Sequence, residues 1–373
     1  MALFITCRKE WLGSIWAKEK IGNLTNAASR RRIKYYFFYS TDELEMYRDV
    51  YESEPSCIVL LTNGGESERR LVSMFKELPM PLIVFGDHKY ESISNEISYV
   101  MSDTADLTSR ILDIFKKKGC KYPAVVGMIS TGQMDSLKIE QFKKMDYSGR
   151  GLVFDTESGK LSEAVEKLFK SSEPVDSIIC SNDLQAICLI KIFDMVDPDW
   201  NKRLLLASYG NTTLVSLTSP SVTTGDFGFD SGSEQVIRIY RTLISGAGVS
   251  AMHTIMRYGF IERESTATQN PEGIVFSEKG APKTEVIKES VRRYKKAEII
   301  EKILSGADAV DYRVIRGLMK GEKITDIADD AYCSPGTIKY RIKKYKETVG
   351  LAKTAEFSAL LNDLIDYKKI SNH

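Results

Sequence analysis

The hydrophobic pattern alternates between two periods from the first residue to about residue 262. Short, continuous apolar runs predict buried strands, and between them apolar residues recur at helical spacing. The predicted strands are Leu3–Cys7, Tyr35–Tyr39, Cys57–Leu61, Leu82–Phe85, Ala124–Met128, Leu152–Phe154, Ser177–Cys180 and Leu204–Ala207. The predicted helices include Thr41–Ser53, Ser67–Leu78, Thr104–Lys118, Ser136–Met145, Lys160–Phe169 and Leu184–Val196. Apolar strands alternating with helices are typical of parallel sheets covered on both faces, and this many units favours two α/β subdomains over one open sheet.

The pattern changes after that point. Residues 263–285 are rich in Pro, Gly, Ser and Thr, which is the composition of a linker. From Glu285 onward there is no strand pattern, and hydrophobicity follows helical spacing. The sequence therefore predicts an α/β domain over residues 1–268, a linker and connecting helix over 269–304, and a small all-α domain over 305–373.

Charge separates these parts although the whole chain is nearly neutral. The 373 residues carry a formal net charge of +1. Residues 286–373 hold 18 Lys and Arg against 13 Asp and Glu, whereas the rest of the chain holds 34 against 38. A basic helical domain is a frequent property of nucleic-acid-binding proteins, but a solvated charged face gives the same imbalance. Charge alone therefore leaves both interpretations open.

Several classes of protein are disfavoured. No run approaches the ~20 apolar residues of a membrane helix, and charged residues follow the first short apolar run, so we expect no signal peptide and a cytoplasmic protein. The six cysteines include no Cys-x-x-Cys pair and are expected to be reduced and mostly buried. No HExxH or G-x-S-x-G motif is present. We therefore expect no enzyme, no cofactor and no metal site.

The C-terminal domain shows a helix-turn-helix pattern. The predicted helices are Asp311–Met319, Ile324–Ala331, a third from Pro335 to about Thr348, and Lys353–Leu364. Gly321 and Gly350 interrupt the pattern where the first and third helices end. Ser334 is placed as the N-cap of the third helix and Pro335 as its first residue. A short helix, a tight turn and a capped basic helix together predict a DNA-binding motif.

The third helix has two different faces. Ile338, Ile342 and Tyr345 fall at i, i+4 and i+7, which predicts a buried stripe. The opposite arc carries Lys339, Tyr340, Lys343 and Lys344. Such a helix can enter the major groove, where lysines reach phosphates and base acceptors. A surface helix with ordinary lysines is the alternative, and the agreement of cap, turn and stripe favours the DNA-binding interpretation.

Residues 311–361 resemble the helix-turn-helix domain of the LuxR/NarL type. The resemblance rests on Gly321, Ile324, Asp326-Ile-Ala328, Ser334, Thr337-Ile-Lys339, Ile342 and Lys353-Thr-Ala-Glu-Phe357. It implies that the side chains at Lys339, Tyr340 and Lys343 face the bases, and we add Ser334, Thr337 and Lys344 to the expected DNA-binding set. Tyr332 stands where the family usually has glycine in the turn.

Residues 1–268 resemble the sensor domain of LacI/GalR-type repressors, which are relatives of periplasmic sugar-binding proteins. The resemblance rests on Pro81-Leu-Ile-Val-Phe85, Tyr99–Asp103, Ile111–Gly119, Ser181-Asn-Asp-Leu-Gln-Ala186, Leu204–Tyr209, Ser221-Val-Thr-Thr224 and Glu262-Arg-Glu-Ser-Thr266. It implies a two-lobed parallel-sheet sensor with ligand in the cleft and three crossovers, near residues 102–104, 222–225 and 247–252. Lobe 1 would hold residues 1–102 and 224–247, and lobe 2 would hold 104–222 and 250–268. The family carries its DNA-binding headpiece before the sensor, whereas here the helix-turn-helix follows it.

The expected ligand-binding residues follow strands, because parallel α/β lobes bind ligands beyond the carboxyl ends of their strands. The set is Arg8, Trp11, Lys138, Asn182 and Asn211. By the resemblance, Lys138 replaces an arginine that clamps sugar hydroxyls, Asn182 matches a ligand-binding asparagine, and Asn211 lies where the family has an acidic contact. Lysine cannot make arginine's two-pronged contact. Asp183 is expected to cap the following helix. Surface charge for Lys138 and packing for Trp11 remain alternatives.

These features favour a ligand-responsive transcriptional regulator. We expect it to bind double-stranded DNA as a homodimer and to respond to a small polar metabolite, such as a sugar or a sugar derivative. The apolar positions of Val286–Leu304 are a candidate part of the dimer contact, or pack on their own chain. The alternative from another class is an intracellular small-molecule-binding or scaffold protein whose C-terminal domain contacts protein.

Overall fold

A computed structural model describes residues 1–62, 66–86, 96–246, 248–279 and 284–371. The strands are β1 Ala2–Thr6, β2 Lys34–Phe37, β3 Ser56–Leu61, β4 Leu82–Phe85, β5 Ser98–Ser102, β6 Pro123–Ile129, β7 Leu152–Thr156, β8 Ser177–Cys180, β9 Leu205–Gly210, β10 Thr223–Asp226, β11 His253–Met256 and β12 Gly259–Ile261. The helices up to residue 244 are α1 Ile15–Arg30, α2 Thr41–Glu45, α3 Arg48–Ser53, α4 Glu66–Phe75, α5 Thr104–Lys117, α6 Gln133–Met145, α7 Leu161–Lys170, α8 Asp183–Val196, α9 Thr213–Leu217 and α10 Phe229–Ile244. The later helices are α11 Thr284–Leu304, α12 Ala309–Lys320, α13 Ile324–Asp330, α14 Pro335–Val349, α15 Thr354–Leu364 and α16 Tyr367–Ile370.

Within the described residues, the strands form two mostly parallel sheets of six strands each. One sheet has the order β11-β5-β4-β3-β1-β2 and the other has the order β12-β10-β9-β8-β6-β7. The chain divides into two compact units. Unit 1 comprises Met1–Thr108, Thr131–Lys138 and Phe227–Gly259, and unit 2 comprises Ser109–Ser130, Ile139–Asp226 and Phe260–His373. The prediction of an α/β fold with two sheets, followed by a helical region, is confirmed.

Alternation of side chains explains why the strands of unit 1 are apolar without interruption. Leu3 and Ile5 of β1 pack into a cluster with α1 and α10, whereas Phe4 packs into a second cluster on the other face of the sheet. Val59 and Ile58 of β3 divide between the two clusters in the same way. Because successive residues of a strand point to opposite faces, a strand covered on both faces needs apolar residues at every position.

Most predicted strands lie where the pattern placed them, and β4 and β8 match their predicted bounds. Four further strands, β5, β10, β11 and β12, were not read from the hydrophobic pattern. The sequence of β10 is Thr-Thr-Gly-Asp, which carries no apolar run, and β12 has only three residues. These edge and near-edge strands are specified by their pairing with neighbours.

The third crossover between the sheets was placed too early in the chain. We expected it at 247–252, but β11 still pairs in parallel with β5, with His253 opposite Tyr99. The chain reaches the other sheet only at β12, so it crosses after Met256 and before Gly259. The loop preceding β11 is rich in Gly and Ser, and this composition concealed the four-residue strand that follows it.

Part of the segment with linker composition is packed within unit 2. Ile274 and Phe276 are buried, and residue Val175 pairs with Ile274 in an isolated bridge. The ring of Phe276 lies 5.1 Å from that of Phe193 on α8, between ring centroids. The few apolar residues of this segment therefore pack it against the rest of unit 2.

The helices after residue 284 pack within unit 2. Helix α11 contacts α7, α8, α9 and α14, and α16 contacts α9 and α12. Helix α8 is buried on nearly every side from Asp183 to Phe193, which requires a covering element on its outer face. Helix α11 supplies that cover. No helix in the described part of the chain has both the length and the apolar character needed to cross a membrane.

Candidate DNA-binding and ligand-binding sites

Helices α12 and α14 start at side-chain caps and end at left-handed glycines. Helix α12 starts with a capping box between Asp308 and Asp311 and ends at Gly321 in the left-handed conformation, with φ of 71°. The Ser334 hydroxyl accepts a hydrogen bond from the backbone N–H of Thr337 at 3.1 Å, which confirms the predicted N-cap of α14. The bounds of these helices therefore lie within two residues of the predicted ones.

The turn between α13 and α14 contains a non-glycine residue in the left-handed conformation. Tyr332 adopts a φ of 51°, in the left-handed region that a side chain with a Cβ enters at a cost. Its ring is 89% exposed, and the Arg313 guanidinium lies 5.5 Å from the ring centroid. Tyr332 therefore holds a backbone conformation that glycine adopts without this cost.

Helix α14 presents the two faces that its sequence predicts. Ile338, Ile342 and Tyr345 are buried. The exposed residues include Ser334, Thr337, Lys339, Tyr340, Lys343 and Lys344. Lys343 has Glu347 as an ion-pair partner one turn later at 3.8 Å, and both side chains are largely in solvent. The predicted DNA-binding residues therefore lie along one exposed, basic stripe.

An ion-pair cluster fixes α14 to α12, and sequence reasoning missed it. The guanidinium of Arg341 donates to both carboxylate oxygens of Asp308 at 2.9 Å, and it also bonds Asp311. The Tyr345 hydroxyl donates to the same Asp311 carboxylate. The hydrogen bonds from Arg341 hold the pKa of Asp308 below its usual value. Arg341 therefore fixes α14 against α12 and does not belong to the exposed basic stripe of α14.

In unit 1, Arg8 and Trp11 lie in the turn that follows β1. Arg8 precedes a 3-10 helix at Lys9–Gly13 and pairs with Glu10 at 3.4 Å. Trp11 is half-buried against the core cluster that β1 shares with α1. The Lys20 ammonium lies 5.5 Å from the Trp11 ring centroid and 4.6 Å from that of Phe85. Trp11 thus packs in an aromatic and cationic cluster at the carboxyl end of this sheet.

Lys20 was missed by sequence reasoning although a signal was available. It sits at the spacing of the buried α1 residues Ala17, Leu24 and Ala28, so the pattern places it on the buried face. Its side chain is only 3% exposed, and its ammonium donates to the carbonyl oxygens of Thr62 and Phe85. A lysine on the apolar stripe of a helix is therefore a candidate for a buried cation.

Lys138 is buried rather than a surface charge. It lies on α6 with 6% exposure, and its ammonium bonds the carboxylate of Asp135, one turn earlier, at 2.9 Å. Asp135 is itself nearly buried. The pair places a cation and an anion together in the first turns of the helix that follows β6.

In unit 2, the helix cap after β8 differs from the prediction. We expected Asp183 to cap α8, but the side chain of Asn182 does so by accepting from the Gln185 N–H at 3.1 Å. Asp183 is fully buried and accepts hydrogen bonds from Thr224 Oγ1, Ser208 Oγ and Thr212 N. Burial raises the pKa of Asp183 and the hydrogen bonds oppose that rise. This carboxylate therefore joins the start of α8 to β9, to the loop after β9 and to β10.

Asn211 lies in a polar network that local sequence does not reveal. The Arg263 guanidinium donates to Asn211 Oδ1 at 2.8 Å, and Asn211 Nδ2 donates to Asp226 Oδ2 at 3.1 Å. Burial lowers the pKa of Arg263, and the nearby carboxylates of Asp183 and Asp226 oppose that effect. The Asn211 side chain is therefore held between the carboxylate of Asp226 and the guanidinium of Arg263.

The unit 2 network can recognise a polar molecule. It offers an amide, a guanidinium and carboxylates at the carboxyl ends of β8, β9 and β10, which is the usual ligand edge of a parallel sheet. Asn211 reaches this position with a φ of 54°, a conformation that asparagine tolerates better than most residues. Among the residues that the structure describes, no three His, Cys, Asp or Glu side chains are grouped so as to hold a metal ion.

Comparison with solved structures identifies the fold. A LacI family transcriptional regulator from Bifidobacterium animalis subsp. lactis is 19% identical, with a TM-score of 0.57 over 72% of this chain and 98% of that chain. A periplasmic binding ribose operon repressor protein from Lactobacillus acidophilus is 18% identical, with a TM-score of 0.54 over 71% and 98%. The chain has the LacI-type sensor fold. A third structure of this fold, a periplasmic binding protein/LacI transcriptional regulator from Alkaliphilus metalliredigens complexed with D-xylulofuranose, is 15% identical, with a TM-score of 0.53 over 72% and 99%.

The LacI-type likeness is one of three-dimensional structure. The chain matches no protein-family model and no curated protein. At identities below one fifth, the likeness shows the fold and leaves the residues of the sites to be argued from their own geometry.

Proposed function

We propose that this protein is a cytoplasmic, DNA-binding transcriptional regulator whose LacI-type sensor responds to a small polar metabolite. Its DNA-binding domain is the helical region over residues 305–373, of the LuxR/NarL helix-turn-helix type. It acts as a homodimer on paired half-sites, because one helix-turn-helix covers too little DNA for high specificity.

The observation that carries the proposal is the exposed basic stripe of α14. The helix is capped at Ser334, buries Ile338 and Ile342 against its neighbours, and turns its lysines to solvent. Lysine side chains on such a face can contact phosphates and the O6 and N7 acceptors of guanine, and Tyr340 can pack on a thymine methyl group. The geometry supports insertion of the first turns of α14 into a major groove.

The ligand half of the proposal rests on polar side chains at the carboxyl ends of strands. In unit 2 these are Asn211, Asp226 and Arg263, and we keep Asn182 as a further candidate. In unit 1 they are Arg8, Trp11 and the buried Lys138. Amides, paired charges and an indole suit a molecule with hydroxyl groups and a carbon-rich face, such as a sugar derivative.

The mechanism we propose is a shift of populations. A ligand that binds one arrangement of the sensor more tightly than another favours that arrangement in proportion to the difference in affinity. The change in the sensor then alters how the two DNA-binding domains of a dimer meet their half-sites.

The alternative function is a small-molecule-binding or scaffold protein whose C-terminal helices contact protein. Two exposed tyrosines, Tyr332 and Tyr340, favour it, because aromatic side chains are enriched at protein interfaces. Tyr340, however, lies among the exposed lysines Lys339, Lys343 and Lys344, and lysine is depleted at protein interfaces. DNA is therefore the better partner for this surface.

The experiment that separates the two is selection of duplexes from a random-sequence library by the full chain. The regulator hypothesis predicts enrichment of one motif, and binding to the enriched duplex should weaken steeply as salt rises. Failure to enrich any motif at low salt contradicts DNA-sequence recognition and favours the scaffold hypothesis.

A second experiment addresses the ligand. A thermal-shift screen of polar metabolites with the full chain should return a stabilising compound, which calorimetry then tests with the Asn211→Ala and Lys138→Ala variants. Loss of one buried hydrogen-bond partner should weaken binding by roughly 1–3 kcal/mol. Unchanged affinity in both variants would place the ligand elsewhere.

A further inference from the structure

Helix α9, a short helix of the sensor, begins at two buried carboxylates from different parts of the chain. The backbone N–H of Thr212 donates to Asp183 on α8 at 2.6 Å. The next two, of Thr213 and Leu214, donate to the two carboxylate oxygens of Glu301 at 2.9 and 2.8 Å. Glu301 lies on α11, so the N–H groups that a helix leaves without intrahelical partners are satisfied here by the C-terminal helical region.

The other end of α9 is also bonded to the C-terminal region. The carbonyl oxygen of Leu217 accepts a hydrogen bond from the Asp366 N–H at 2.7 Å, and that of Thr218 accepts from the Lys369 ammonium at 2.5 Å. The same ammonium is paired with Glu264. Both ends of one five-residue sensor helix are thus held by residues that lie beyond the sensor in sequence.

The two contacts flank the helix-turn-helix segment. Glu301 lies on α11, immediately before α12, and Asp366 and Lys369 lie at α16, immediately after α15. Helix α11 also contacts α14, and α16 also contacts α12. A displacement of α9 therefore acts on the helix-turn-helix through two separate connections.

A residue two positions before α9, Asn211, belongs to the candidate ligand site. Asn211 bonds Arg263 and Asp226, and its own N–H donates to Thr224 Oγ1 at 3.2 Å. Thr224 Oγ1 in turn donates to Asp183, whose carboxylate also holds the Thr212 N–H. A molecule that bonds Asn211 or Arg263 therefore contacts a hydrogen-bond network that extends to the N–H of Thr212, the residue that precedes α9.

We propose that α9 is the element that couples the sensor to the DNA-binding region, with Glu301 and Lys369 as its positioning residues. Ligand contact at Asn211 moves the Asn211–Thr212 loop, α9 moves with it, and α11 and α16 transmit the displacement to α12 and α14. This inference rests on the proposed function for its biological meaning. The physical coupling itself can be measured in the absence of both ligand and DNA.

The test is hydrogen–deuterium exchange of the full chain, read separately over α9 and over α12–α14. In Glu301→Gln, one of the two N–H bonds is lost because the amide nitrogen cannot accept, so exchange should accelerate at least about fivefold over both α9 and α12–α14. The matched control is Glu298→Gln, one turn before Glu301 on α11, which removes the charge that pairs with Lys302 at a partly exposed position and should change neither segment. Lys369→Ala provides a second variant at the other end of α9, with the same expected result.

If α9 couples the two regions, a change at the candidate ligand site should also alter exchange in the C-terminal helices. Asn211→Ala should accelerate exchange over α9 and over α12–α14, whereas Asn201→Ala, at an exposed position of unit 2, should leave both unchanged. Faster exchange confined to α9 in both Glu301→Gln and Lys369→Ala, with α12–α14 unaffected, would overturn the proposal. Duplex binding by the wild-type chain is measured in parallel, so that a chain without DNA affinity contradicts the proposed function while the exchange data still decide the coupling.

Discussion

The guanidinium of Arg341 and the carboxylate of Asp308 meet in a two-bond ion pair, with each Nη bonded to one Oδ at 2.9 Å. Asp308 is the N-cap of α12 and Arg341 lies in the middle of α14, so the pair joins the first helix of the motif to its exposed basic helix. The same guanidinium reaches Asp311, which completes the capping box. One cluster therefore both starts α12 and fixes α14.

We predict that Arg341→Lys weakens the C-terminal region, because lysine cannot form the two parallel bonds. The pair is partly exposed, so we expect a loss of about 0.5–1.5 kcal/mol in the free energy of unfolding, measured by urea denaturation. The control is Arg48→Lys, which alters an exposed pair with Glu45 on the unit 1 surface and should cost less than about 0.5 kcal/mol. Equal losses in the two variants would mean that the cluster does not fix α14.

Asn182 has a structural role that must be separated from any role in binding. Because its side chain caps α8, Asn182→Ala should destabilise the protein by about 1 kcal/mol, whereas Asn182→Ser should be nearly neutral because serine also caps. Thermal unfolding measures both. A ligand role would appear as weaker binding in Asn182→Ser, in which the cap is kept. If Asn182→Ser bound the metabolite like the wild type, Asn182 would be a cap only.

The raised pKa of Glu301 leads us to predict that the free energy of unfolding depends on pH. Burial, with a smaller contribution from the nearby Asp183 charge, raises its pKa from 4.5 to about 7. The charged and titratable groups that face it are Asp183 on α8 and Tyr312 on α12. A carboxyl group with a raised pKa in the folded state stabilises the fold below its usual pKa, and that stability is lost as pH rises through the folded value.

The free energy of unfolding of the wild type, minus that of Glu301→Gln, should therefore fall between about pH 4.5 and pH 7. A shift of this size is worth about 3 kcal/mol in total, at 1.36 kcal/mol for each pKa unit. Chemical denaturation at several pH values measures the difference. A difference that stays constant over this range would contradict the burial of an ionisable carboxylate at the start of α9.

The homodimer is a prediction from DNA-binding geometry. A two-fold pair of helix-turn-helix motifs reads two half-sites, and most of the specificity comes from that pairing. Light scattering at micromolar concentration should give twice the chain mass of 42.0 kDa, with or without duplex. A monomer under both conditions would contradict it.

Much of the fold could be predicted because the local pattern of apolar and polar residues determines it. The runs that became β4 and β8 are apolar throughout and bounded by turn residues, and Ser334-Pro335 marks the start of α14 by itself. Helix α8 carried a further signal, since a helix that is apolar all round must be covered. Which helix covers it depends on packing between distant segments.

The sites were less predictable because their contacts are long-range. Asn211 was selected from its place after a strand, but its partner Arg263 lies 52 residues away and Glu301 lies 88 residues from Thr213. The capping role assigned to Asp183 was wrong because two adjacent residues, Asn182 and Asp183, compete for the cap. The structure gives the cap to Asn182, and Asp183 turns inward to Ser208 and Thr224.

The central claim is that the exposed lysines of α14 bind DNA, and one comparison tests it most directly. Fluorescence anisotropy of the full chain with the duplex enriched from a random library measures affinity over a range of salt. The triple variant Lys339→Ala, Lys343→Ala and Lys344→Ala is compared with Lys143→Ala, Lys144→Ala and Lys170→Ala, which removes the same charge from exposed sensor helices. We predict that the α14 variant loses at least about tenfold in affinity and that its log–log salt slope is reduced by about 0.9 for each phosphate that a lysine no longer neutralises, while the sensor variant binds like the wild type. Equal binding by the two triple variants would contradict the account.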